Sequence, residues 1–187
     1  MKILIACEFS GVVRDAFARA GHDAWSCDLV ESQTCGNHIV GDVVGILNDG
    51  WDMVVAHPPC DRLCVSGARW KYEKPGWADE QDAAIEFVRR LMDAPIDKIA
   101  IENPIGIIST RIRKPDQIIH PWWFGHNETK ATCLWLKNLP PLVATHKRPD
   151  SVLARIHHIP PSPDRKRLRT SWEFYPRIAA AMADHWG

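Results

Sequence analysis

The 187-residue sequence has no apolar run approaching the length of a membrane span, so no membrane partner is expected. Its opening, MKILIACEFSG, turns polar and glycine-bearing too soon for a secretory signal. The six cysteines are scattered and none forms a Cys-x-x-Cys pair, so neither a disulfide framework nor a common zinc site is expected. His57, Cys60 and Cys64 lie close together, as do Cys35 and His38. Zinc ligands usually come in tighter pairs, and no metal is assigned. Formal net charge is zero, which removes whole-molecule charge as a reason to bind a polyanion. Any nucleic-acid surface must come from local segregation of charge. Internal repeats and low-complexity tracts are also missing. The length suffices for one domain over 1–187 and is too short for two, and 45% hydrophobic with 25% charged residues is the ordinary composition of a globular chain. A cytoplasmic monomer is the expectation.

The apolar runs that are present are short and evenly placed. Lys2 to Cys7 (KILIAC) predicts a strand, and Gly11 follows it. Val12, Val13, Ala16, Phe17 and Ala20 recur at helical spacing, with Gly21 where a helix ends. Ala24 to Cys27 predicts a second strand, ending at Asp28. Strand, tight turn, helix, strand and acid suit a nucleotide-like ligand, although one glycine in FSGVV equally suits an ordinary strand–helix turn. Trp51 to Ala56 (WDMVVA) predicts a buried strand running into His57-Pro58-Pro59-Cys60. Asp79 to Met92 predicts a helix capped by Asp79, with Ala84, Ile85, Val88, Leu91 and Met92 inward. Lys98 to Ile101 (KIAI) predicts a strand that delivers Glu102-Asn103-Pro104. TCLWL, from Thr132, predicts another, and Trp172 to Trp186 a closing helix. Such alternation gives an α/β fold, a mostly parallel sheet with helices on both faces. Ligands of such sheets bind beyond the carboxyl ends of the strands, where HPPC and ENP stand.

Two prolines before Cys60 fix a rigid turn, so its thiol would point in a set direction. Alone, such a cysteine is either a nucleophile or a buried inert thiol. Glu102, at the end of the next strand, changes the balance. A thiol beside a carboxylate suits an electrophilic ring activated by protonation, and cytosine fits. A thiolate attacks its carbon 6 when N3 is protonated or strongly hydrogen-bonded. Carbon 5 then becomes nucleophilic and can take a methyl group from a sulfonium donor.

In these ordered segments the chain resembles the DNA cytosine-5 methyltransferases, in particular their short phage or prophage members. CEFSGVVRDAF, with Phe9 and Gly11, is similar to the first cofactor motif. Asp28 matches the acid for the ribose hydroxyls, and Asp42 the acid near the adenine amino group. HPPC, with Pro58, Pro59 and Cys60, resembles the catalytic motif, and Glu102-Asn103 the motif that binds the target base. Arg111 or Arg113, in STRIRK, would supply an arginine to cytosine, and YPRIAAAMADHWG the helix that completes the cofactor pocket. The resemblance implies a Rossmann-like S-adenosylmethionine-dependent fold, S-adenosylmethionine as cofactor and DNA as substrate. FSGVV lacks a second glycine, Asp61 replaces a glutamine, and residues 140–169, a basic loop, stand in place of a target-recognition domain. Relaxed sequence specificity follows, or a separate specificity partner.

Between Lys147 and Arg169 lie Lys147, Arg148, Arg155, Arg165, Lys166, Arg167 and Arg169 against Asp150 and Asp164. This local excess suits phosphate contact, with Arg165, Lys166 and Arg167 as its densest part. Of nine tryptophans, Trp70, Trp77, Trp122 and Trp123 fall in predicted loops where an indole can stack on a base. Trp25, Trp51, Trp135 and Trp186 are expected in the core. Three other readings remain. The same chemistry could act on free pyrimidine nucleotides, or transfer a group other than plain methyl. A non-catalytic module binding nucleic acid or S-adenosylmethionine would need neither Cys60 nor Glu102. A cysteine hydrolase would need His57 or His126 as base.

Overall fold

In the computed structural model, which describes residues 1–65, 75–151 and 175–187, the chain forms a seven-stranded sheet flanked by helices. Its strands are β1 (Lys2–Ala6), β2 (Asp23–Asp28), β3 (His38–Val40), β4 (Met53–Ala56), β5 (Lys98–Pro104), β6 (Gln117–Ile119) and β7 (Thr132–Lys137). Its helices are α1 (Val12–Arg19), α2 (Trp77–Met92), the single turn α3 (Ile108–Arg111) and α4 (Pro176–Trp186). Spatial order is β3-β2-β1-β4-β5-β7-β6. The pairs among β1 to β5 are all parallel, whereas β7 runs antiparallel to both β5 and β6. This is a Rossmann-like α/β sheet, mostly parallel. The chain winds outward from β1 to β3, then returns to place β4 on the other side of β1. That reversal opens a crevice at the carboxyl ends of β1 and β4.

Alternation along each strand divides the core in two. Ile3, Ile5, Met53 and Val55 pack with Val13 and Phe17 of α1 and with Ile178 and Met182 of α4. Leu4, Ala6, Val54 and Ala56 pack with Ile85, Val88 and Leu91 of α2. These strands therefore have two apolar faces, the pattern of a parallel sheet covered by helices on both sides. Phe17 is fully buried, a contribution of about 1.5–3 kcal/mol. α4 is tied down by Trp186, whose indole donates to the Pro140 carbonyl at 2.9 Å.

Several boundaries differ from the sequence expectation. α2 begins at Trp77 with Gly76 as its cap, so Asp79 is not the cap. Asp79 and Glu80 instead occupy the first turn, where carboxylates complement the helix dipole. Trp77 is buried there and stacks beneath Arg62, rather than standing in a loop. β5 continues through Glu102 and Asn103, which pair with Leu134 and Cys133 of β7. Trp51, Trp135 and Trp186 are in the core as expected. α4 starts at Pro176, and residues 172–174 of the expected closing helix lie outside the described residues, as does Trp70. Among the described residues, no helix is long and apolar enough to cross a membrane.

Candidate active site

Four strand ends meet at the crevice. From β1 the chain passes through Cys7, Glu8 and Phe9 to Gly11. Glu8 is buried, and its carboxylate accepts from the Val13 and Arg14 amides at 2.7 and 3.2 Å, at the opening of α1. A helix N-terminus of this kind elsewhere receives a phosphate. Here a fixed carboxylate already fills it, which is incompatible with a dinucleotide's pyrophosphate. Gly11 has φ +78°, and a Cβ would come within 2.0 Å of Thr34 Oγ1 and 2.6 Å of the Arg14 guanidinium. Its missing side chain thus accommodates the 29–37 loop rather than lining a cavity. Arg14, itself buried, holds that loop through Ser32, Thr34 and Cys35.

β4 ends in a turn that is tied on several sides. The His57 amide donates to the Ala6 carbonyl at 2.9 Å, and Asn103 Nδ2 donates to the Pro58 carbonyl at 2.7 Å. After the prolines the amides of Leu63 and Cys64 both donate to the Cys60 carbonyl, at 3.0 and 2.9 Å. Cys64 then bridges to Gly106, where a Cβ would sit 1.9 Å from the Leu63 carbonyl oxygen. The segments after β4 and β5 are therefore laced together, and both present their side chains to one cleft.

That cleft, about 170 Å³, is lined by Phe9, Pro58, Pro59, Cys60, Glu102 and Asn103, joined by His57, Lys130, Thr132 and Tyr175. Glu102 is the buried charge at its centre. Its Oε1 accepts from the Thr132 hydroxyl, and its Oε2 lies 3.3 Å from His57 Nδ1. The side chains of His57 and Glu102 are only 6% and 10% exposed. Burial pushes the Glu102 pKa up. The hydrogen bond and charge of His57, the charge of Lys130 and the Thr132 hydroxyl together bring it below the ordinary carboxylate value. Glu102 thus rests ionised.

Cys60 is perturbed in the other sense. Its hydrogen bond with Cys64, then burial, then the charges of Cys64 and Glu102 raise its pKa, and Lys130 opposes them. The half-buried thiol rests protonated. Cys7 lies nearby and is pushed up to about 12 by burial and by Asp28, so it is not a competing nucleophile.

A second cavity of about 520 Å³ adjoins the first, sharing Cys7, Asp28, Pro59 and Asp61 with it. Its volume lies in the range of about 300–1,000 Å³ usual for small-molecule sites. The wall combines four acids, Asp28 at the end of β2, Asp42, Asp61 and Glu80, with apolar Leu29, Val43 and Phe87. Asp42 also accepts from the Val44 amide at 3.0 Å, which fixes its carboxylate at the start of a short 3-10 turn.

Phe9, Pro58, Pro59, Cys60, Glu102 and Asn103 thus share the smaller cleft, Asp28 borders both spaces and Asp42 the larger. Arg111 and Arg113 are not brought to either. Arg111 pairs with Asp82 of α2 at 2.7 Å. Arg113 pairs with Asp116 at 2.8 Å and lines a separate groove beside Trp135. The single turn α3 carries this segment away from the Glu102 end of β5. Arg165, Lys166 and Arg167 lie outside the described residues. Sequence reasoning did not find Lys130 and Thr132. They reach the cleft because β7 is antiparallel, so its first residues lie beside the last residues of β5. Tyr175 and Ile178 bring the start of α4 to the smaller cleft. His126 is directed elsewhere and accepts from the Arg177 amide.

No family model matches the chain, and no curated protein matches it. Among solved structures, one provisionally described as a DNA modification methyltransferase encoded within an E. coli prophage superposes with a TM-score of 0.48 at 14% identity. The superposition covers 86% of this chain and 55% of that one, so the chain spans about half the length of that protein.

Proposed function

We propose that this chain methylates carbon 5 of cytosine in DNA through a covalent Cys60 adduct, with S-adenosylmethionine as donor. The observation that carries the reading is the convergence of Cys60 and Glu102, from adjacent parallel strands, on one small cleft beside an acid-lined cavity. The smaller space falls below the usual range for a whole ligand and suits a single ring. The larger suits an adenosine group, with Asp28 towards ribose hydroxyls, Asp42 towards the adenine amino group and Leu29, Val43 and Phe87 around the ring. Bound there, S-adenosylmethionine would supply an electrophilic methyl group. Cys60 Sγ forms a bond to carbon 6 as the ring takes a proton at N3, and the electron density moved to carbon 5 makes that carbon nucleophilic. After transfer, carbon 5 loses its proton to water, the Sγ–carbon bond breaks and N3 gives up its proton, restoring the aromatic ring and the Cys60 thiol. Glu102 holds the nitrogen edge of the ring, and Asn103 keeps the Cys60 turn in place. The basic run between Lys147 and Arg169 supports a polymeric substrate.

The test is incubation with S-adenosylmethionine and cytosine-containing DNA, followed by nucleoside mass spectrometry, beside a Cys60→Ala control. 5-Methylcytosine dependent on Cys60 is the expected result, together with a covalent complex on 5-fluorocytosine DNA. Unmodified DNA, with deoxycytidine monophosphate methylated in a parallel reaction, would move the substrate to the free nucleotide. No product from either would overturn the reading.

A further inference from the structure

Adduct formation on cytosine needs a proton at N3 and a thiolate at carbon 6. The cleft holds the opposite arrangement at rest, a protonated Cys60 and an ionised Glu102. The two states differ by the position of one proton. Nothing needs to enter from outside if Glu102 takes the Cys60 proton and delivers it to the ring.

We propose that His57 is the positioning residue that holds Glu102, the group that meets N3 in the cytosine reading, as an oriented carboxylate able to take the Cys60 proton and pass it to the ring. The inference rests on the cytosine reading above. The Sγ–H bond breaks towards Glu102, the sulfur lone pair forms the bond to carbon 6, and Glu102 passes the proton to N3. On release the Sγ–carbon bond breaks and the N3 proton returns by the same carboxylate to the sulfur. The carbon 5 proton that the methyl group replaces leaves to water, so protons and electrons balance with no co-reactant beyond the methyl donor.

The geometry assigns the holding role to His57. Its ring comes from the turn that carries Cys60, three residues earlier, and its Nδ1 meets Glu102 Oε2 at 3.3 Å with both side chains buried. Thr132 holds the other oxygen from β7. Glu102 therefore has both oxygens fixed, one from each neighbouring strand. The ionisable groups facing it are Cys60 and His57 from the β4 turn, Lys130 and Cys133 from β7 and its approach, and Tyr175 from the start of α4. Of these Lys130 and His57 favour the carboxylate, and burial opposes them. Without His57, burial faces only Lys130 and Thr132, and Glu102 takes up its own proton at higher pH.

The experiment is the ratio of the methylation rates of His57→Gln and wild type from about pH 5.5 to 9, on the same DNA and with saturating S-adenosylmethionine. Glutamine can still donate to Oε2 but cannot carry the positive charge. The ratio should be depressed tenfold or more at the acid end, within the span of general acid–base effects, and recover towards one at the alkaline end. A ratio low and flat across pH would make His57 merely structural, and recovery on the acid side would make it a proton acceptor, whose loss matters only where the ring is neutral; either overturns the proposal. Titration of carbon-13-labelled glutamate carboxyls by NMR in the two free proteins reads the same point without catalysis. An upward shift of Glu102 in the variant is expected, and its absence overturns the role of His57 even where wild type methylates DNA. A wild type inert on DNA and nucleotide, with the NMR shift present, would defeat the cytosine reading and the transfer step while the pairing stands.

Discussion

Asn103 ties the strand that delivers Glu102 to the turn that delivers Cys60, through its Nδ2 and the Pro58 carbonyl at 2.7 Å. Asn103 is 1% exposed, so the bond is made where water does not compete. The Pro58 carbonyl has its hydrogen-bond donor in this side chain, and the prolines leave the turn little freedom to find another. Asn103→Ala should therefore cost about 1–3 kcal/mol by urea unfolding, the penalty of a buried acceptor left unsatisfied. Methylation should fall further than stability does, because the Cys60 thiol loses its fixed approach. A variant with unchanged unfolding midpoint and unchanged rate would remove Asn103 from the positioning role.

Gly11 makes a different kind of demand. At φ +78° an added side chain is strained before any contact is considered, by about 1–2 kcal/mol. Its Cβ would also displace Thr34 and the Arg14 guanidinium, which pin the loop following Asp28. Gly11→Ala is expected to lower stability by at least the backbone term and to weaken S-adenosylmethionine binding, read by calorimetry. Weakened binding would come through displacement of Asp28 and Leu29, since Gly11 itself lines neither cavity.

The strands that carry Cys60 and Glu102 were legible because WDMVVA and KIAI are apolar runs with sharp polar endings. Their side-by-side, parallel placement followed from helical spacing between them, and the structure agrees. β3 and β6 were not legible: three residues each is too short for a period of two to declare itself. TCLWL reads as a strand, but its direction is not written in its residues. Only the fold reverses it, and that reversal is what brings Thr132 and Lys130 beside Glu102. Arg111 and Arg113 failed for the complementary reason. Closeness in sequence to Glu102 was no guide, since the turn of α3 directs them to Asp82 and Asp116. The carboxylate of Glu8 filling the opening of α1 accounts for a first turn with one glycine where a phosphate-binding turn has three.

Acid stability should report on Glu102. Its folded pKa lies below the unfolded value, so between the two the unfolded chain binds more protons and stability falls as pH drops. Above the ordinary carboxylate value, about 4.3, the contribution is fully present. Thr132→Val removes one of the groups that hold the folded value down, which shrinks the contribution from below. The difference in urea midpoint between wild type and Thr132→Val is expected to be largest near neutrality and to diminish below about pH 4, as Glu102 becomes protonated in both states. A difference independent of pH would mean that Thr132 acts through packing alone.

The cations sort themselves by the cleft they face. Lys130 lines the smaller cavity, and its charge favours both the Cys60 thiolate and the Glu102 carboxylate. Arg111 is half exposed and spends its charge on Asp82, a surface pair of small energetic weight. Lys130→Met should lower the methylation rate at neutral pH by about tenfold or more, because loss of a nearby positive charge raises the cost of every thiolate formed. Lys130→Arg should retain a larger share of activity, since the charge survives in altered shape. Arg111→Ala should leave the rate within about twofold and shift the unfolding midpoint by no more than the ~0–1 kcal/mol of an exposed ion pair. Single-turnover rates on one DNA substrate compare all three. A collapse of activity in Arg111→Ala with Lys130→Met unaffected would return the base-contacting cation to α3 and require that segment to move into the cleft.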